Sequence, residues 1–176
     1  MKLKSLAEYG IVQHGKLCLS QRSPLSRWWG GFTGQYSSFT PEGGYYVYNC
    51  TEQWMMVAKA AMMSDEEIMS KIMATNNPSN QRTLGRRIKN FNAALWDKHK
   101  EKAVYLGNLF KFKQNPELKE FLLSFPRHTI FAEAAPWDSV WGIGLSPTDS
   151  DSLDQSKWKG QNLLGKAIQR VHRELY

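Results

Sequence analysis

Residues 52–63 constrain this chain more than any other stretch. Glu52, Gln53, Trp54, Met55, Met56, Val57, Ala58, Lys59, Ala60, Ala61, Met62 and Met63 favour a helix that is apolar on nearly every side. A surface helix buries one stripe, whereas a helix apolar all round must be enclosed by other elements. The segment therefore predicts a central helix. Thr51 stands where an N-cap is expected. Glu52, Met56 and Lys59 fall on one face, at spacings of four and three. A carboxylate opening a buried helix meets the positive end of its dipole, which favours the ionised form. Two roles fit Glu52: a structural carboxylate with a satisfied partner, or a working group in a site.

Further helices follow from their own signals. Ser64-Asp65-Glu66-Glu67 reads as a capping box opening a helix to about Ala74, which Asn76-Asn77-Pro78 stops. Residues 79–90 fit a short helix with Arg82, Arg86, Arg87 and Lys89 around Leu84 and Ile88, and Gly85 permits close approach. Those arginines suit solvent first, and phosphate as the alternative. Residues 91–114 read as a long helix with Trp96, His99, Ala103, Leu106 and Phe110 along one side and residues 97–102 on its wet face. Asn115-Pro116 opens another helix, to about Phe125. Leu163, Leu164, Ala167, Ile168, Val171 and Leu175 give the last helix its apolar stripe. Strand signals are short: residues 10–12 and 16–19 around the turn at His14-Gly15, residues 45–48 after Pro41-Glu42-Gly43-Gly44, and the alternating run 128–134. Residues 146–157, rich in Ser, Asp and Pro, read as a mobile surface loop. The sum is an α+β chain, a helix-dominated single domain with a few short strands.

The run 128–134 delivers Glu133 and then Asp138 into an unusual stretch, Ala134-Ala135-Pro136-Trp137-Asp138-Ser139-Val140-Trp141-Gly142-Ile143-Gly144-Leu145. Connections are usually small and polar. Two indoles are costly to leave in water, so both are expected to pack. The glycines let backbone approach closely. A buried aromatic turn and a pocket wall with a carboxylate at its rim both fit. Residues 28–39 pose a similar choice: aromatics interleaved with glycine serve either loop packing or a stacking platform for a flat ligand.

Composition narrows the function. A chain of 176 residues fits one domain with a sizeable core. Its net charge of +7 suits an anionic partner, nucleic acid or a phosphorylated small molecule, although a solvated basic surface fits equally. Cys18 and Cys50 are too few for a disulfide framework and lack metal-ligand spacing. The basic start lacks an apolar h-region, and no apolar run spans a bilayer, so a cytoplasmic chain that engages no membrane is expected. No dinucleotide fingerprint, Walker loop, nucleophile elbow or histidine pair at zinc spacing occurs. Carboxylate chemistry among aromatics and cations remains.

At this point an ordered set of motifs resembles the NADAR superfamily, the YbiA-like proteins. The matching segments are Gly30-Gly31-Phe32, Gln35-Tyr36-Ser37-Ser38-Phe39, Tyr46, Thr51-Glu52-Gln53-Trp54-Met55-Met56-Val57-Ala58-Lys59-Ala60, Leu84-Gly85-Arg86 and Trp96. Further on come Gly107-Asn108, Lys111-Phe112-Lys113-Gln114-Asn115, Glu133-Ala134-Ala135-Pro136-Trp137-Asp138, Trp141-Gly142-Ile143-Gly144-Leu145 and Trp158-Lys159-Gly160-Gln161-Asn162-Leu163-Leu164-Gly165. On this resemblance residues 28–176 are the YbiA-like domain and residues 1–27 an N-terminal extension packed on it.

The resemblance implies an N-glycosidase that cuts between a ribose C1 and an amine or base nitrogen, with no metal and no organic cofactor. The implied substrates are early riboflavin-pathway intermediates or ADP-ribosyl-guanine, phosphorylated or ADP-ribosylated and either free or carried on nucleic acid. A monomer is expected. Glu52, Trp96 and Asp138 match the family's catalytic positions, and Trp141 its second functional tryptophan. Gln35, Phe39, Lys59, Arg86, Glu133, Gly142 and Asn162 are the further substrate-binding residues expected. N-glycoside cleavage builds positive charge on the ribose, which a carboxylate stabilises. Glu52 is expected to do this and to activate water, with Asp138 holding ribose hydroxyls or orienting the water. Trp96 and Trp141 would shape the pocket, and Lys59 and Arg86 would meet phosphate. Two other readings stay open: a non-catalytic ADP-ribose or NAD-related nucleotide-binding module, and a nucleic-acid binder working through the net charge.

Overall fold

A computed structural model of the chain describes residues 5–30, the backbone of 36–39, and residues 45–176. These fall into two compact units, one of the described residues among 1–29 and 116–176, the other of those among 30–115.

The second unit is organised around α1 (Thr51–Met62). No residue of α1 is exposed, as an apolar circumference requires. Three helices pack on it: α2 (Glu66–Met73), α3 (Pro78–Gly85) and α4 (Ala93–Gln114). A two-stranded antiparallel ribbon, β3 (Tyr36–Phe39) with β4 (Tyr45–Tyr48), completes the unit and pairs Phe39 with Tyr45. Trp54 anchors the α1–α4 contact. Its Nε1 donates to the Ala103 carbonyl at 2.8 Å, and its ring meets Phe110 edge-on at 5.6 Å. A Cβ at Gly107 would collide with that indole, so glycine is what admits α1 at this point.

The first unit holds a three-stranded sheet in the order β1 (Val12–His14), β2 (Leu17–Ser20), β5 (Ile130–Glu133). β1 and β2 form a hairpin around Gly15, whose φ of +56° is cheap only for glycine. β2 and β5 run parallel, with Leu17 beside Ile130 and Ser20 beside Glu133. Leu17, Leu19, Ala132, Ala134, Ile143 and Leu145 make one buried cluster on this sheet. α6 (Leu163–Leu175) packs on β5, and α5 (Pro116–Leu123) packs on α6.

Four expectations change. Thr51 does not cap α1: Cys50 occupies the cap, Thr51 lies inside the helix, and its buried Oγ1 has no hydrogen-bond partner. Gln53 ties this helix start down instead, taking the Asn49 N–H on Oε1 and donating to the Ile72 and Thr75 carbonyls. The cap of α2 is Asp65, one residue later than the expected box, because its carboxylate takes the Ile68 N–H at 3.1 Å. In α4 the buried side runs through Ala103, Val104, Gly107, Asn108, Lys111 and Phe112, whereas His99, Leu106 and Phe110 are only half-buried. Of the expected stripe, Trp96 and Ala103 are buried. Residues 146–157 form two short 3-10 turns, Ser150–Leu153 and Gln155–Lys157, rather than an open loop. Asp149 and Asp154 cap them, and Trp158 Nε1 binds the Ser152 carbonyl at 2.9 Å. The aspartates that read as loop formers act as caps. The expected stacking residues 32–35 and the turn at 41–44 lie outside the described residues.

Candidate functional site

In the second unit, Glu52 occupies the first turn of α1 and is 2% exposed. Two residues before it, Cys50 donates its thiol to Gln81 Oε1 at 3.2 Å. Lys59, seven residues on, is half-buried. Its Nζ donates to the Gly85 carbonyl at 2.9 Å and sits 4.2 Å from the centre of the Phe91 ring. Burial pushes the Lys59 ammonium below its ordinary pKa; the charge of Glu52 opposes this and that of Arg86 adds to it. Arg86 follows α3 and is exposed. A Cβ at Gly85 would run into the Met56 side chain, so glycine there lets α3 lie against Met56 without displacing it. Trp96 is buried near the start of α4, the helix that packs on α1. Gln35 lies outside the described residues, and of Phe39 only the backbone, in β3, is described.

One residue here is quoted within a matching segment but given no role by the sequence. Lys111 is fully buried in α4. The lysines at 98, 100 and 102 drew attention to a wet face, but position 111 lies seven residues after Val104 and four after Gly107, on the buried side. That spacing was the available signal.

In the first unit, β5 ends at Glu133 and the chain folds into a tight turn. The Glu133 carbonyl accepts from Ala135 N–H at 3.1 Å and from Ile143 N–H at 2.9 Å. Asp138 is buried inside the turn. Its Oδ1 accepts from the Trp141 N–H at 2.8 Å and the Val140 N–H at 3.2 Å; its Oδ2 accepts from Arg27 Nη2 at 2.9 Å. Burial alone would raise this carboxyl, but the Arg27 charge and these donors hold it below the ordinary carboxylate value. Asp138 thus remains an anion and a hydrogen-bond acceptor at neutral pH. Trp141 is half-buried, with the Arg27 guanidinium 5.8 Å from its ring centre.

Gly142 and Asn162 hold the turn in place. A Cβ on Gly142 would stand 2.7 Å from the Glu133 carbonyl oxygen and 2.9 Å from that of Asp138. The Asn162 side chain bridges β5 by accepting from Glu133 N–H at 3.1 Å and donating to the Phe131 carbonyl at 2.9 Å. Trp137 departs from expectation. It is 64% exposed, because the turn aims its neighbour Asp138 inward and leaves the indole on the outer side. Within the second unit, then, the expected residues Glu52, Lys59, Arg86 and Trp96 occur on or around the α1 bundle; within the first, Glu133, Asp138, Trp141, Gly142 and Asn162 occur in or beside one turn. Burial disfavours the thiolate at both cysteines, pushing Cys50 up to about 11 and Cys18 up to about 12. Among the described residues no group of three or more His, Cys, Asp or Glu side chains is placed to hold a metal ion, and no helix is long and apolar enough to cross a membrane.

The fold is a helix-dominated α+β type, with six α-helices and two small sheets among the described residues. A family model for the NADAR domain matches residues 14–176, and the chain belongs to that family. It is 42% identical over 150 residues to N-glycosidase R617 of Acanthamoeba polyphaga mimivirus, covering 85% of this chain and 86% of that protein. It is 33% identical over 132 residues to Protein irg-1 of Caenorhabditis elegans, covering 73% of this chain and 61% of that one. The NMR structure of the E. coli protein YbiA shares the fold, with a TM-score of 0.68 over 93% of this chain and 87% of that one at 20% identity.

Proposed function

We propose that this protein is an N-glycosidase that hydrolyses the bond between a ribose C1 and an amine or base nitrogen in a phosphorylated or ADP-ribosylated substrate. The observation that carries the reading is a 2%-exposed carboxylate, Glu52, in the first turn of an enclosed helix, in a chain 42% identical to a protein named N-glycosidase. In the reaction the C1–N bond breaks and its electron pair leaves with nitrogen. The ribose carries positive charge in the transition state, a water oxygen bonds to C1, and the proton released goes to the leaving nitrogen. The Glu52 carboxylate stabilises that charge, takes the proton from the attacking water and passes it on to the leaving nitrogen. Asp138, held ionised, is suited to accepting hydrogen bonds from ribose hydroxyls or from the attacking water, not to donating a proton. Trp96 and Trp141 offer flat apolar faces that exclude water, and Lys59 and Arg86 supply cations for phosphate.

The test is to incubate the protein with ADP-ribosylated guanosine and with a phosphorylated ribosylamine in water labelled with heavy oxygen. Mass spectrometry should find free ADP-ribose or ribose phosphate carrying one labelled oxygen. Glu52→Gln should lower turnover by at least about 10²-fold while keeping the wild-type circular dichroism spectrum. Near-wild-type turnover in a folded Glu52→Gln protein removes Glu52 from the mechanism. Tight binding without release over hours favours the nucleotide-binding reading, in which the carboxylates only clasp hydroxyls.

A further inference from the structure

Arg27 is named by none of the matched motifs, yet it is 6% exposed and reaches a residue 111 positions away. Its Nη2 meets Asp138 Oδ2 at 2.9 Å, and its guanidinium lies 5.8 Å from the centre of the Trp141 ring. The opposite oxygen of Asp138 receives the Val140 and Trp141 amides. Cation, carboxylate, indole and turn backbone are therefore linked as one set. A buried ion pair is a poor device for stability alone, since a well-packed apolar pair of the same volume does as well or better. Its geometric effect is specific. With Oδ1 bound by two amides and Oδ2 by a planar cation, the carboxylate cannot rotate about its last torsion, and the indole beside it is backed by the same cation.

We propose that Arg27 is a positioning residue of this N-glycosidase, clamping Asp138 and Trp141 in the arrangement that turnover requires. The inference rests on the N-glycosidase reading and adds to it a residue outside the domain span suggested by the motifs. Arg27 acts through Asp138 and Trp141. Its loss should therefore appear in kcat, because misplacement on the order of 1 Å at a reacting centre costs about 10²-fold.

The experiment compares Arg27→Met and Arg27→Lys with wild type. Steady-state kinetics on ADP-ribosylated guanosine are paired with amide spectra of nitrogen-15-labelled protein. Arg27→Met should lower kcat about 10- to 100-fold with KM within about threefold, and the Val140 and Trp141 amide resonances should move. Arg27→Lys keeps a cation for Asp138 and should recover part of the lost kcat. Moved amides with wild-type kcat would make Arg27 structural only and overturn the proposal. A raised KM with wild-type kcat would make it a substrate contact and overturn it equally. Should Arg27→Met fail to fold, Arg27→Lys carries the test: it loses the planar fork, and wild-type kcat with unmoved amides would overturn the role. A wild-type protein that releases neither ADP-ribose nor ribose phosphate from the two substrates overturns the glycosidase reading itself; an active wild type matched in kcat by both variants overturns only the role of Arg27.

Discussion

His172 sits on the buried side of α6, with Nε2 3.1 Å from the Phe125 carbonyl and its ring edge-on to Phe131 at 5.3 Å. Burial pushes its pKa below the ordinary histidine value of 6.5; the Phe125 carbonyl opposes that shift and Arg173 reinforces it. The sign for stability follows. Below 6.5 the unfolded chain binds a proton at this position that the folded chain resists. The contribution of His172 is thus fully present above 6.5 and is lost as the pH falls through the lower folded value. Urea midpoints at pH 7.5 and 5.5 should show wild type losing stability on acidification. His172→Gln, which cannot titrate, should lose less over the same interval, whatever its absolute stability. Equal losses in the two proteins would mean that the folded state does not disfavour the charged ring. The last helix's apolar stripe announced its buried side, but His172 follows Val171 on that side without being apolar, and the Phe125 carbonyl and the Phe131 ring explain its tolerance there.

α1 shows what pattern reading captures and what it misses. Its enclosed character was legible from residues 52–63, because twelve consecutive side chains with almost no polar face admit no surface position. Its start was not. Thr51 has the chemistry of a cap, but the residue that closes this end is Gln53, through contacts with residues 49, 72 and 75. Long-range partners of this kind leave no local signature. Asp65 repeats the lesson: helix existence came from periodicity, whereas the cap residue was decided by the Ile68 N–H. At the turn after β5, Glu133, Asp138 and Trp141 were legible as a group from their spacing, but the outward indole of Trp137 and the clamp from Arg27 were not. Thr51→Val tests the corrected start. A capping hydroxyl would cost about 1 kcal/mol to remove. An enclosed, unpartnered Oγ1 replaced by a methyl of the same shape should leave the urea midpoint unchanged or higher. A midpoint lowered by the equivalent of about 1 kcal/mol would restore Thr51 as a hydrogen-bonding residue.

The chain returns to its beginning to finish its sheet. β1 and β2 come from residues 12–20 and β5 from 130–133, so the first unit draws on both ends of the sequence and is interrupted by the whole of the second. Residues 1–27, set apart as an extension by the motif boundaries, supply two of the three strands, the Leu17 and Leu19 side chains of the buried cluster, and the cation on Asp138. The family match likewise begins at residue 14, within β1. Deleting residues 1–27 would leave β5 as an isolated strand with unpaired N–H and C=O groups. It would also leave the Asp138 carboxylate buried without its cation, a loss of about 3–5 kcal/mol by itself. Such a sum approaches the whole stability of an ordinary domain, about 5–15 kcal/mol. The truncated protein should show no cooperative thermal transition in near-ultraviolet circular dichroism and should elute as aggregate on size exclusion. A parallel pairing made only after residue 130 also closes a long loop, so the intact chain should refold slowly compared with helical proteins of its size. If the truncated chain instead melts cooperatively near the wild-type temperature, the sheet is dispensable and the clamp at Asp138 cannot matter to the turn it supports.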